Sequence, residues 1–176
     1  MTASADVVSR ALINIFESVP EYDAYGDPES IRLSEDAYRV AVAQLTKTWG
    51  DQLLELAESP PTPLTGRDVH TIDALVEKIT AVITQLNDLD RARTLASTGP
   101  RHRALQDADA AILSALEVTS RRMQDLNGPR NPSLWIKDNA AAIYRRLRRL
   151  SRDIALRNQV LRARRQPWRD DSSLHA

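Results

Sequence analysis

The chain predicts an all-α protein, a single antiparallel bundle of four to five helices, and three observations carry that expectation. Apolar residues recur every three to four positions along five stretches rather than alternating. Most of the five glycines and nine prolines, the strongest punctuators of regular structure, cluster between those stretches. The connections are short, as in up-and-down bundles. At 176 residues the chain fits one domain with a sizeable core. The expected division is a helical bundle over 1–165 and a basic, polar tail over 166–176.

The first helix, about 4–19, sets Val8, Leu12, Ile15 and Val19 on one stripe and stops at Pro20. The second, about 34–58, is expected to open on Ser34 as its cap, with Glu35 and Asp36 in a first turn where the helix dipole favours acids. Its stripe is Tyr38, Val42, Leu45, Trp49, Leu53 and Leu56. Gly50 within it costs about 1 kcal/mol against alanine, which points to a bend or a close helix contact. The third, about 67–95, carries Val69, Ile72, Val76, Ile79, Ile83 and Leu86, widened by Leu75, Val82 and Leu89. Its many β-branched residues suit a strand, but the 3,4 rhythm with polar residues between decides for helix. The fourth, about 101–126, shows Leu105, Ile112, Leu116, Met123 and Leu126. The fifth, about 133–165, starts from Ser133 and steps through Ile136, Ala140, Ile143, Leu147, Leu150, Ile154 and Leu161, with Arg157 interrupting a core position. Between the first two helices, residues 20–33 form an acidic, aromatic loop with Tyr22 and Tyr25, a candidate protein contact.

Composition excludes several function classes. The absence of cysteine removes disulfides, thiolate metal sites and a cysteine nucleophile. No apolar run reaches the roughly 18 residues of a membrane span. The first residues lack the basic and apolar regions of a signal peptide, so a cytoplasmic protein is expected. The three histidines (His70, His102, His175) build no His-Glu-x-x-His pair. His70, Asp73 and Glu77 share a helix face, but that pattern is more often a solvated surface than a metal site. The pairs Asp88/Asp90 and Asp107/Asp109 point to different faces of their helices. There is no glycine-rich phosphate loop and no nucleophile elbow. No catalytic residue, cofactor or metal is therefore expected, and the chain is read as a non-enzyme.

Charge is the most informative feature. Lys+Arg and Asp+Glu both number 24, yet residues 1–59 hold 4 basic and 11 acidic side chains while residues 129–176 hold 12 and 4. Such asymmetry suggests an electrostatic partner. Turning the fifth helix's apolar stripe inward places Arg145, Arg148, Arg149 and Arg152 outward. Arg162 extends that row to ~25 Å at 1.5 Å per residue, and Arg165 and Trp168 follow in the tail. Asp138 and Asp153 are the acids within this helix. A row of guanidinium groups fits a nucleic-acid backbone, where each cation releases condensed counterions and binds without sequence preference. Trp168 adds a ring that can stack on a base or dock on a partner. The acidic first third and basic last third also permit head-to-tail self-association.

In size, helical make-up and basic face, carried by Arg145, Arg148, Arg149, Arg152 and Arg162, the chain resembles the small helical subunits of CRISPR effector ribonucleoprotein complexes. The resemblance implies a CRISPR-associated, bacterial-defence role. It implies non-catalytic binding of RNA, ahead of DNA, or of a displaced DNA strand, together with other protein subunits and away from membranes. The alternative is a helical protein-interaction adaptor whose arginines bind an acidic protein. A third reading rests on Arg169-Asp170-Asp171-Ser172-Ser173-Leu174-His175, which matches the spacing of the HEPN ribonuclease signature. A chain with 21 arginines produces such a match readily by chance, and Pro167 leaves no helix to hold it.

Overall fold

The computed structural model describes residues 3–19, 28–87, 100–127 and 131–162. The described residues form helices α1 (Ala3–Ser18), α2 (Pro28–Glu58), α3 (Gly66–Asn87), α4 (Pro100–Gln124) and α5 (Pro132–Arg162), with a 3₁₀ turn (Asp125–Asn127) closing α4. The fold is an all-α bundle. No described helix is long and apolar enough to cross a membrane.

One helix start departs from expectation by more than a residue, that of α2, and proline is the reason. α2 opens at Pro28, since proline is well suited to the first helical position, where its missing N–H leaves nothing unpaired. Ser34 therefore lies inside the helix rather than capping it, and Glu35 is not a first-turn acid. The expected loop 20–33 loses residues 28–33 to α2; residues 20–27, with Tyr22 and Tyr25, lie outside the described residues. α5 likewise opens at Pro132, and its cap is Asn131, whose side-chain oxygen accepts from the Ser133 N–H at 2.9 Å. Leu89 and the Asp88/Asp90 pair also fall outside the described residues.

α2 packs on α1 and α3, α3 on α5, α5 on α4, and α4 on α1, which closes the helices into a ring. Contacts between Arg39 and Leu86 at one end, and between Gly50 and Ile79 further along, run α2 against α3 antiparallel. Those joining Arg157 to Asp109 and Arg122 to Asn139 do the same for α4 and α5. Ser133 to Asp68 and Ser151 to Gln85, by contrast, set α3 and α5 parallel. The consequence is that the N-termini of α3 and α5 lie side by side at one pole.

The core is the set of stripes facing the ring's interior. Trp49 and Trp135 are fully buried at its centre with Leu53, Leu116 and Leu147. Each such large apolar side chain contributes about 1.5–3 kcal/mol on leaving water. In α3 the buried row is Ile72, Leu75, Ile79, Val82 and Leu86, so the face is turned slightly from the expected one and Val69 is exposed. At Gly50 α2 touches α3, but a Cβ there would meet Ile79 Cγ2 at 3.5 Å, an ordinary van der Waals distance, so the contact does not itself require glycine.

Candidate nucleic-acid interface

Because α5 buries Ile136, Ala140, Ile143, Leu147, Leu150 and Ile154, helical geometry turns the residues between them to solvent. Arg145, Arg148, Arg149 and Arg152 are all exposed, and Arg149 and Arg152 keep 68% and 67% of their side-chain surface. Arg145 Nε donates to the Ala141 carbonyl at 3.2 Å, which lays its side chain along the helix. Arg149 and Arg152 share one acid, Asp153, at 3.7 and 3.6 Å. These pairs are long and their arginines exposed, so each contributes little to stability, although Asp153 itself is buried, and they neutralise part of the row.

The row reaches further towards the helix start than the arginines alone suggest. Lys137 is exposed and lies on the same face, two turns before Arg145; its signal was its helical phase. From Lys137 to Arg152 the face spans ~22 Å. At the other end, Arg162 closes α5 with its side chain outside the described residues, as are Arg165, Trp168, Arg169 and His175.

Beside this face a groove of about 1080 Å³ runs between the N-terminal halves of α3 and α5. Its floor is aliphatic, with Leu75, Ile136 and Ala140, and its rim carries Arg67, His70, Lys137 and Arg145. Tyr144 forms one wall, with the Lys78 ammonium 5.8 Å from its ring centroid. Asp68 is the acid of the groove, and it is already engaged. It accepts from the Thr65 N–H and hydroxyl at 3.0 and 2.7 Å while its own N–H donates to Thr65 Oγ1, a capping box. The Ser133 hydroxyl also donates to it at 2.9 Å, tying the two helix starts together. These hydrogen bonds, those of Thr65 foremost, hold the Asp68 carboxyl below its ordinary value. Two parallel helix N-termini add their positive dipole ends to the same pole.

No protein family, curated protein or solved structure matches the chain. The site stands on its own residues.

At the opposite pole lies a second set of charges that sequence reasoning missed. Arg157 Nε donates to Asp109 Oδ1 at 2.5 Å, and its two terminal nitrogens donate to the two Glu35 oxygens, one at 2.7 Å. Arg39 donates to Glu35 Oε1, to the Leu86 carbonyl and to Asn158 Oδ1, each at 2.6 Å. Asn158 in turn donates to the Gln85 carbonyl at 2.9 Å. The Arg157 guanidinium also stacks 4.8 Å from the Tyr38 ring centroid. The side chains of Glu35, Arg39, Tyr38, Asp109, Arg157 and Asn158 are all buried. Burial pushes the Glu35 carboxyl up, but Arg157 and Arg39 more than offset it and hold it below its ordinary value. Asp109 goes the other way: burial raises it, and Arg157 offsets only part of the rise. Tyr38 is raised well above its usual range, by burial and then by neighbouring Asp109. The cluster braces α2, α3, α4 and α5 together from inside.

The remaining candidates are dispersed. His70, Asp73 and Glu77 are exposed, and no three metal-ligating side chains converge among the described residues. Asp107 is exposed while Asp109 is buried, as two residues on different helix faces should be.

Proposed function

We propose that the protein is a non-catalytic helical subunit that binds a nucleic-acid backbone, RNA ahead of DNA, within a larger ribonucleoprotein assembly. The observation that supports this reading is the exposed face of Lys137, Arg145, Arg148, Arg149 and Arg152, with Asp153 as the acid paired to it. Guanidinium groups at helical spacing suit phosphates, which they meet with two parallel hydrogen bonds each. The architectural resemblance to small subunits of CRISPR effector complexes fits a subunit of this kind. The acidic N-terminal third of the chain leaves head-to-tail contact between copies, or with other subunits, as the means of assembly.

The adaptor reading draws on one specific feature, the exposed Leu134 and the aliphatic floor of the adjoining groove, which suit an acidic amphipathic protein segment. Salt dependence separates the two. Changing Arg145, Arg148, Arg149 and Arg152 together to Gln should weaken binding to any RNA or DNA tested. It should also flatten the plot of log affinity against log salt. The slope should fall by about 0.9 for each duplex phosphate no longer neutralised, or by about 0.7 on a single strand. If the parent protein binds no nucleic acid, or the Gln variant binds as the parent does, the proposal fails.

A further inference from the structure

Resting on that phosphate-binding reading, we infer that the groove between α3 and α5 receives an unstacked nucleobase against Tyr144, so that the protein selects single strands over duplex. The groove and the cationic face are one continuous surface, because Arg145 belongs to both. Tyr144 precedes it in the chain, and Arg148 follows Tyr144 by one helical turn. A strand whose phosphates lie on Arg145 and Arg148 therefore passes directly beside the ring. Tyr144 is 37% exposed, with the Lys78 ammonium from α3 5.8 Å from its ring centroid, so part of the ring surface faces the groove and solvent.

The rest of the groove fits the same ligand. Its aliphatic floor can desolvate a base, and aromatic with apolar walls are what proteins use for unstacked bases. At about 1080 Å³ it slightly exceeds the roughly 300–1,000 Å³ typical of small-molecule sites, which leaves room for a base and its sugar. The rim's Arg67, Lys137 and Arg145 outnumber Asp68, which stays ionised but has its Oδ2 occupied by the hydrogen bonds of Thr65 and Ser133. A duplex keeps its bases stacked inside, leaves the groove unfilled and engages only the cationic face.

The test is fluorescence anisotropy with end-labelled oligouridylate and oligothymidylate of about 12 nucleotides, within the usual single-strand site sizes, beside a hairpin duplex. The parent should bind the strands more tightly than the hairpin. Tyr144→Ala should weaken strand binding about 5- to 100-fold, the range expected when one base loses its stacking ring. It should leave hairpin affinity and the salt slope as they were. Tyr144→Phe, which keeps the ring, should restore strand binding. Equal affinity of the parent for strand and hairpin overturns the inference, as does an equal loss on both in Tyr144→Ala. If Tyr144→Ala changes nothing while the fourfold Gln variant loses binding, the groove inference alone fails. If no oligonucleotide binds and an acidic amphipathic peptide does so instead, the phosphate reading fails with it.

Discussion

Helix α5 carries arginines in two opposite situations. Arg157 is 1% exposed and surrounded by Glu35, Asp109 and the Tyr38 ring. Arg149 and Arg152, one to two turns earlier, are two-thirds exposed and share a distant carboxylate. The residue type is the same and so is the helix. What differs is the supply of acid. At the buried pole Arg39 and Arg157 face Glu35 and Asp109, so charge is balanced and both guanidinium groups are committed. On the exposed face five cations, Lys137 included, stand with Asp138 and Asp153 as the acids of their own helix. Arginine content therefore says little about function; the surplus of cation over local acid is what leaves a surface able to attract a polyanion.

The largest expected effect lies at the buried pole. Arg157→Ala strips Glu35 and Asp109 of their shared partner without admitting water, and breaking a buried pair in this way costs about 3–5 kcal/mol. Chemical denaturation should show that loss, and Arg149→Ala should show almost none. Combining Arg157→Met with Asp109→Asn should recover at least half of it, because Arg39 and Glu35 then remain as a balanced pair and no uncompensated charge is left buried. Equal stabilities for Arg157→Ala and Arg149→Ala would erase the distinction between the two sites.

An intermediate effect is expected in the pH dependence of stability. Glu35 sits below its ordinary value of 4.5 in the folded protein. Its contribution is therefore present above that value and is lost as the pH falls through the lowered one. Asp109 is raised above its ordinary value of 3.8, so the folded state takes up its proton more readily and gains stability as the pH falls towards 3.8. The two carboxylates oppose one another. Thermal melts below pH 4.5 should thus fall more steeply for Asp109→Asn than for the parent, and less steeply for Glu35→Gln. The fourfold Gln variant of the exposed face should keep the parent's profile.

Much of this was legible in the sequence. The 3,4 rhythm located five helices and nearly the whole core, since the stripes from Tyr38 to Leu56 and from Ile136 to Ile154 are buried as their phase requires. It also turned Arg145, Arg148, Arg149 and Arg152 outward. The start of α2 was misread because Pro28 serves equally as the end of a turn and as a first helical residue. The buried cluster escaped because Arg157 stood out in a core position while its partners on other helices did not. Glu35 precedes Tyr38 by three positions, and Asp109 lies between Leu105 and Ile112, so both occupy core phases of their own helices just as Arg157 does. A charge in a core phase calls for opposite charges in core phases elsewhere. The groove had no such signal: it arises because α3 and α5, not consecutive in the chain, lie side by side and parallel.

The smallest expected effect is also the most telling about the exposed face. Arg145, Arg148, Arg149 and Arg152 make four like-charge pairs at spacings of three or four residues, each destabilising a helix by about 0.2–0.5 kcal/mol. Against this stand the two long ion pairs to Asp153 at 3.7 and 3.6 Å, whose arginines are exposed while the carboxylate is buried; at that length each contributes about 0 to 1 kcal/mol. Replacing all four by Gln removes both effects, and Gln is a good helix former. The repulsions sum to about 0.8–2 kcal/mol and the attractions to about 0–2 kcal/mol, so at mid-range the variant should melt at or slightly above the parent at low salt, with a gain of at most about 2 kcal/mol. That gain should vanish as salt screens the repulsion. A row kept for stability would behave in the opposite way and melt earlier on replacement. An unchanged or raised melting temperature, together with weakened nucleic-acid affinity, would mean that these arginines are held against their own repulsion for the sake of what they bind.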